Sequence, residues 1–370
     1  MKALHVYSGN LFGGIERMLL ALTTLPRAEI ENVFALCFDA RIAQGLRARG
    51  ARVELLAPVR IRDPISVLRG RRVLERLLRG ERFDAVICHG IWTFAVFAGA
   101  VRRAGGKPIL YQHDIPNPKN GFYRWSSLRP PRICIANSAY TAKLVAAWLP
   151  NCQVQVVYPL VELPQESSPD SVRELRGEFG AGEGQVVILQ GSRLDHWKGH
   201  RILLGALANL KHRADWRCWI AGSPQRSEEE QYRAELASTI RESGLGERVR
   251  FIGHRDDMPR VLAACDVYCQ PNQVPEPYGL VFVEALALGK PVVSGDEGGV
   301  TEVVTRDCGI LCKPNSKAVA NALEQLLANP ALRARMAQAS RARIAELNAP
   351  GLFLESFFQA LGQPRTASVS

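Results

Sequence analysis

Two glutamates, Glu276 and Glu284, stand eight residues apart around the apolar stretch E-P-Y-G-L-V-F-V-E. A helix over 279–288 follows from Pro277 before it, Gly289 after it and Pro291, which forbids its continuation. Glu276 then lies on the loop before the helix and Glu284 one to two turns inside it. Acids near a helix N-terminus serve as capping charges, and that is the structural alternative for both. Glu284, however, interrupts the run L-V-F-V-E-A-L-A-L, where an uncompensated carboxylate is costly to bury. It should accept hydrogen bonds from a partner, and ribose hydroxyls would serve.

Two further segments carry charge or glycine where a ligand would need them. In L-Q-G-S-R-L-D-H-W-K-G-H, residues 189–200, a strand ends at Gly191 and Arg193 and Lys198 follow within one loop. Two cations on a strand-end loop suit a diphosphate, Arg as a planar fork and Lys as a compact charge; otherwise they are surface charges. Gly13 and Gly14 follow the first strand and precede an apolar helical run. Such a turn lets the backbone approach a phosphate at a helix start, although the spacing is not G-x-G-x-x-G and an ordinary βα turn reads the same way.

The elements that must position these residues follow from the length and the pattern. A chain of 370 residues exceeds what one hydrophobic core organises. Short β-branched runs alternate with helical patterns in both halves: A-L-H-V-Y-S, N-V-F-A-L-C-F, R-V-E-L-L-A, D-A-V-I-C-H-G, P-I-L-Y-Q-H-D, I-C-I-A-N-S and V-Q-V-V-Y-P, then Q-V-V-I-L-Q-G-S, W-R-C-W-I-A-G-S, R-V-R-F-I-G-H, D-V-Y-C-Q-P and P-V-V-S-G-D. This predicts two α/β domains, each a doubly wound parallel sheet, with ligands outside the carboxyl ends of the strands in a cleft between them. The segment 161–172, rich in Pro, Ser and acid, is the linker candidate. The domains are placed at 1–165 and 166–345, with 346–370 as a C-terminal segment.

Charge divides unevenly along the chain. Residues 1–165 hold 23 Lys and Arg against 11 Asp and Glu; the remainder holds 24 against 25. Part of the excess lies between Arg60 and Arg82, in an amphipathic helix with Ile65, Leu68, Leu74, Leu77 and Leu78 on one face and arginines on the other. A solvated face is the plain reading. A surface for anionic lipid headgroups or an anionic acceptor is the sharper one, at about 1 kcal/mol per basic side chain. No aromatic-interleaved basic stretch or recognition-helix pattern points to nucleic acid. Nothing reaches the roughly 18 apolar residues of a spanning helix, and the first ten residues read as a strand rather than a signal peptide. Nine scattered cysteines suggest reduced thiols and a cytoplasmic location, and neither Cys265-x3-Cys269 nor Cys308-x3-Cys312 has the tight knuckle of a zinc site. His196 and His200 lack a third ligand at metal spacing, and His89 either lines the ligand cleft or caps a strand end.

Taken in order, Gly13-Gly14-Ile15-Glu16, His113-Asp114, Ala136-Asn137-Ser138, Gly191-Ser192-Arg193 with Lys198-Gly199, Glu276-Pro277-Tyr278-Gly279-Leu280 with Glu284-Ala285, and Gly298-Gly299 with Glu302 resemble the retaining GT-B glycosyltransferases of the GT4-like family, the glycosyl transferases group 1. The resemblance covers nearly the whole chain. It implies a GT-B fold of two Rossmann-like domains and transfer of a hexose-type sugar, with retention, from a nucleotide-diphosphate sugar to a hydroxyl acceptor. By resemblance Arg193 and Lys198 contact the diphosphate, Gly13 and Gly14 approach the phosphates, His113 and Glu276 lie beside the donor sugar, and Glu284 binds the ribose. His113, Glu276, Arg193 and Lys198 are therefore the expected catalytic set. Backbone amides of Gly279, Leu280 and Val281 add phosphate contacts, with Gly253 and Tyr278 beside the donor. The co-substrate is a nucleotide sugar and no divalent metal is expected. The acceptor is expected to be lipid-linked or a cell-envelope glycan, reached by a protein peripheral at the inner face of the membrane; a small soluble acceptor is the runner-up. Tyr158-Pro159-Leu160 departs from the family's common Asn-Gly turn, and Asp195-His196-Trp197 from its usual residues before the lysine. The C-terminal P-G-L-F-L-E-S-F-F-Q-A-L-G is expected to return to the first domain or to form a dimer contact. A nucleotide-sugar epimerase and a non-catalytic binding protein are the alternatives of other classes; E-P-Y-G-L favours the transferase.

Overall fold

The computed structural model describes residues 1–10 and 13–363. The chain forms two compact units, Met1–Glu162 together with the segment from Asn348 onward, and Leu163–Leu347.

The first unit contains β1 (Lys2–Tyr7), β2 (Glu31–Leu36), β3 (Arg52–Leu55), β4 (Ala85–His89), β5 (Pro108–Gln112), β6 (Ile133–Ala136) and β7 (Gln153–Val156). They form one parallel sheet in the order β3-β2-β1-β4-β5-β6-β7. Every residue of β4 and β5 is buried, as expected of central strands covered by helices on both faces. One face packs around Phe34, Ile87 and Tyr111, the other around Phe94, Phe97 and Leu74. The helix Pro350–Ala360 belongs to this unit: Phe353, Leu354, Phe357 and Phe358 are buried in the first of these cores. The side chain of Asn348 ties the return point, its Oδ1 accepting from Val161 N at 2.9 Å and its Nδ2 donating to Val161 O at 2.7 Å.

The second unit contains β8 (Val186–Gly191), β9 (Trp216–Ala221), β10 (Val249–Gly253), β11 (Val267–Gln270), β12 (Val292–Gly295) and β13 (Gly309–Cys312). Its parallel order is β10-β9-β8-β11-β12-β13. Strand β13 is not among the runs read from the sequence; a four-residue edge strand that starts on a glycine gives too short a pattern. The order reverses at β1/β4 in one sheet and at β8/β11 in the other, and loops diverge at such points to leave a crevice at the strand carboxyl ends.

The basic helix spans Pro64–Gly80, with Asp63 as its N-cap. Its apolar residues do not share one face in packing. Leu74 is fully buried, whereas Ile65 and Leu68 are 63% and 45% exposed. The helix comes closest to the core at Gly70, where a Cβ would lie 2.6 Å from Val59 Cγ2. Val67, Gly70 and Leu74 lie on the side of the helix that meets the core, whereas Ile65 and Leu68, at 3.6 residues per turn, fall roughly opposite. Arg71 is likewise no free surface charge: its Nε donates to Val96 O at 2.6 Å and its guanidinium lies 5.8 Å from the Trp125 ring centroid. The linker candidate 161–172 is only partly extended, since Ser168 caps a helix over Pro169–Glu178.

Candidate active site

The carboxyl end of β8 and β11 gathers most of the charged residues singled out above. Lys198 Nζ lies 2.9 Å from Glu276 Oε2, with side chains 14% and 11% exposed. The same oxygen accepts from Asn272 Nδ2 at 2.7 Å, and Gln270 Nε2 donates to Asn272 Oδ1 at 3.0 Å. Glu276 is thereby held by two donors, one charged, as a nearly buried carboxylate requires.

Backbone contacts fix both partners. Gly199 has φ +78°, and a Cβ there would meet Pro271 O at 1.9 Å, so the loop that carries Lys198 can lie against the segment after β11 only with glycine. Gln190 Nε2 donates to Lys198 O at 2.8 Å, and Gln273 N donates to Trp197 O at 2.8 Å. On the other side Gly298, with φ +102°, packs against the backbone of Glu276 in an isolated parallel bridge, and Gly299 N donates to Glu276 O at 2.7 Å. The Lys198 ammonium sits 3.7 Å from the Trp197 ring centroid. Trp197 thereby supports the cation.

The helix after Glu276 spans Leu280–Ala287, with Gly279 as a left-handed N-cap at φ +91°. Glu284 is 7% exposed on it, and Glu276 on the preceding loop is 9% exposed. Tyr278 is buried at 3%, so its side chain is part of the support of this turn. Leu280 and Val281 open the helix, and their exposure is intermediate. Arg193 is the least committed of the set: its side chain is 45% exposed, and its Nη2 lies 2.8 Å from Asp195 Oδ2, an ion pair by distance without hydrogen-bond geometry. Gly253 ends β10 at φ +72°, with open space where a Cβ would stand.

The first unit places a different chemistry at its switch point. A cavity of about 740 Å³ opens at the ends of β1 and β4, lined among others by Tyr7, Arg60, Arg62, His89, Trp92 and Asp114. Beside it His113 follows β5, buried at 7%, with its carbonyl held by Asn137 Nδ2 at 2.9 Å. Burial lowers the His113 pKa to about 3. Gly13 and Gly14 lie at the start of the helix Gly14–Ala21. There Gly13 N donates to Glu16 Oε2 at 2.8 Å, and Glu16 Oε1 accepts from Tyr7 OH at 2.7 Å. The buried Glu16 carboxylate thus occupies one N–H of this helix start, which the glycine pattern alone did not reveal.

Arg193, Lys198, Gly253, Glu276, Tyr278, Gly279 to Val281 and Glu284 all lie in the second unit; Gly13, Gly14 and His113 lie in the first. Sequence reasoning missed Gln270 and Asn272, which orient Glu276, and His5 and Asn32, which lie behind His89. Their shared signal is a polar side chain inside or directly after an otherwise apolar strand.

Comparison with known proteins gives consistent results for both units. Residues 171–343 match the family model for glycosyl transferases group 1, and residues 12–164 that for glycosyltransferase family 4. The phosphatidyl-myo-inositol mannosyltransferase of Mycobacterium leprae is 35% identical over 345 residues, covering 89% of this chain and 87% of its own. The human alpha-1,3/1,6-mannosyltransferase ALG2 is 27% identical over 314 residues, covering 76% and 74%. Among solved structures, Anabaena Alr3699/HepE in complex with UDP and glucose superimposes with a TM-score of 0.86 at 25% identity, covering 98% of this chain and 100% of that one.

Proposed function

We propose, for a chain that belongs to the glycosyl transferases group 1 and has their GT-B fold of two Rossmann-like domains, that this glycosyltransferase moves a hexosyl group with retention from a nucleotide-diphosphate sugar to a lipid-linked or envelope-glycan hydroxyl. The observation that carries the reading is the pair Lys198 and Glu276, 2.9 Å apart at the switch point of the second sheet and clamped by Gly199 and Gly298. Mannose is the favoured sugar, because the M. leprae and human relatives are named as mannosyltransferases.

In this mechanism the anomeric C–O bond to the diphosphate breaks and the bond from the acceptor oxygen forms on the same face. The acceptor proton passes to the departing phosphate. Charge grows on the diphosphate while the sugar takes oxocarbenium character, so fixed cations aimed at the leaving group supply the main stabilisation. Arg193 and Lys198 fill that role, and no divalent metal is required. Lys198 would exchange part of its contact with Glu276 for phosphate, freeing one carboxylate oxygen for a sugar hydroxyl. Glu284 would take the ribose, Gly279 to Val281 the phosphates through backbone N–H groups, and His113 the sugar. Arg60 and Arg62 at the cavity of the first unit favour an anionic acceptor. The exposed Ile61, Ile65 and Leu68 beside Arg69 and Arg72 favour a peripheral site on an anionic membrane. No helix among the described residues is long and apolar enough to cross a membrane.

A thermal-shift screen of UDP-, GDP- and ADP-sugars tests the donor site. Selective stabilisation by one donor, lost in Glu284→Ala and Arg193→Ala, is expected; no shift with any donor would count against it.

A further inference from the structure

Three histidines of the first unit are hydrogen-bonded in series beneath its switch point. His5 Nε2 lies 2.9 Å from Asn32 Oδ1, His5 Nδ1 lies 2.9 Å from His89 Nε2, and His89 Nδ1 lies 3.0 Å from His113 Nε2. Strand register produces the series. His5 pairs with Ile87 across β1 and β4, and His89 pairs with Tyr111 across β4 and β5. Each next histidine stands two residues further on, so all three share one face and step diagonally toward the strand ends. The rings are packed in an aromatic layer, His5 stacked on Phe34 and Phe357 and His113 on Tyr111 at 4.3 Å between centroids.

The proton positions follow from counting donors. Burial lowers all three pKa values, His5 to about 4, His113 to about 3 and His89 well below its ordinary 6.5. Three neutral rings carry three N–H groups for three hydrogen bonds. The direction is set at the far end, where Asn32 Nδ2 donates to Leu22 O at 3.0 Å. A carbonyl only accepts, so the Asn32 amide must present its oxygen to His5. His5 then carries its proton on Nε2 and accepts at Nδ1 from His89 Nε2–H, and His89 accepts at Nδ1 from His113 Nε2–H. The opposite direction would set the Asn32 amide oxygen against either the Leu22 carbonyl or an unprotonated His5 nitrogen.

We infer that Asn32, acting through His5 and His89, fixes the tautomer of His113, so that the ring nitrogen left over for a ligand, Nδ1, is an acceptor only. Asn32, His5 and His89 are thus positioning residues for His113. The series orients protons and does not conduct them, because the Asn32 amide oxygen takes up no proton at its end. A hydroxyl that meets this nitrogen must donate to it. That last consequence rests on the reading of His113 as a sugar contact; the tautomer does not.

The test is a long-range ¹H–¹⁵N correlation spectrum of the full chain, labelled with ¹⁵N-histidine, at pH 7, assigned with His5→Asn and His113→Gln. All three rings are expected as single Nε2–H tautomers. His113 found as Nδ1–H or doubly protonated would overturn the inference. Asn32→Leu, of similar size but unable to accept, should convert His113 to a mixture or to Nδ1–H while the signals of His212 and His254 in the other unit stay in place. An unchanged His113 in that folded variant would remove Asn32 from the role. Should the variant not fold, the wild-type spectrum decides the tautomer. Donor binding in the thermal-shift screen with an Nδ1–H His113 would overturn the inference and leave the transferase reading standing.

Discussion

The two switch points are built from opposite materials on similar sheets. At β8/β11 the side chains are charged and paired, Lys198 with Glu276 and Arg193 with Asp195. At β1/β4 neutral rings locked in series, His5, His89 and His113, lie beneath a cavity whose charges, Arg60, Arg62 and Asp114, stand at its lining. The difference teaches how one architecture divides the work of a transfer. On the proposed reading, a leaving diphosphate needs positive charge already fixed where the negative charge grows, and Glu276 holds Lys198 there. Burial keeps the histidines uncharged at neutral pH, so on the same reading His113 would meet a hydroxyl as a neutral acceptor, whereas the second unit offers carboxylates.

Changes at the charged end should have the largest effect. Lys198→Ala removes one cation from the leaving group and leaves Glu276 with Asn272 alone; kcat/KM for transfer is expected to fall at least 100-fold, about 3 kcal/mol of transition-state stabilisation. A loss below fivefold would take Lys198 out of the catalytic set. Gly199→Ala tests the clamp rather than the charge. With Pro271 O at 1.9 Å from the added Cβ and a left-handed φ, the loop must move, and activity should fall by an amount comparable to Lys198→Ala although every charge remains.

Acid should separate the two units. The buried histidines of the first unit have folded pKa values below their unfolded value near 6.5. The unfolded chain therefore binds more protons between those values, and stability is full above about pH 6.5 and is lost as pH falls toward 4. Each ring costs up to about 1.4 kcal/mol per pH unit in that window. The second unit has one such ring, His200, lowered to about 4. Its carboxylates Asp215 and Asp257 are lowered by the guanidiniums of Arg213 and Arg255, and their contribution is lost only below about pH 4. Hydrogen exchange at pH 5 should thus open the first sheet before the second, and equal protection in both would break the comparison.

The smallest effect on the fold is expected from the arginine surface. Arg69, Arg72 and Arg76 are exposed, so changing all three to Glu should leave the melting temperature within about 2 °C. It should weaken binding to vesicles with 30% anionic lipid at low salt roughly 100-fold, since each contact is worth about 1 kcal/mol. Retained vesicle binding would move the membrane contact elsewhere. Arg71 is left out because Val96 and Trp125 hold it.

Much of this organisation is legible in the chain itself. The alternation of apolar runs located twelve of the thirteen strands described, because a central parallel strand is apolar throughout and leaves a strong signal. The helix between Pro277 and Gly289 was legible from its punctuation, and so was the cation loop after Gly191. Asn272, Gln270, Asn32 and His5 were not, since a polar residue in an apolar run has no partner in one dimension. Ile65 and Leu68 read as one face with Leu74, although at 3.6 residues per turn they fall roughly opposite it; only packing shows which side is covered.

The sequence by itself determined the two-unit α/β plan, the basic excess of the first half and the residue types available for phosphate and sugar chemistry. Those follow from local pattern, where period and punctuation act over a few residues. Only the tertiary structure decided that Lys198 meets Glu276 across 78 residues, that Tyr7 on β1 donates to Glu16, and that a histidine on β1 reaches His113 through His89. The reason is register. Which residues become neighbours depends on how strands pair across crossovers, and a shift of one residue in β1 or β4 would turn His5 or His89 to the opposite face.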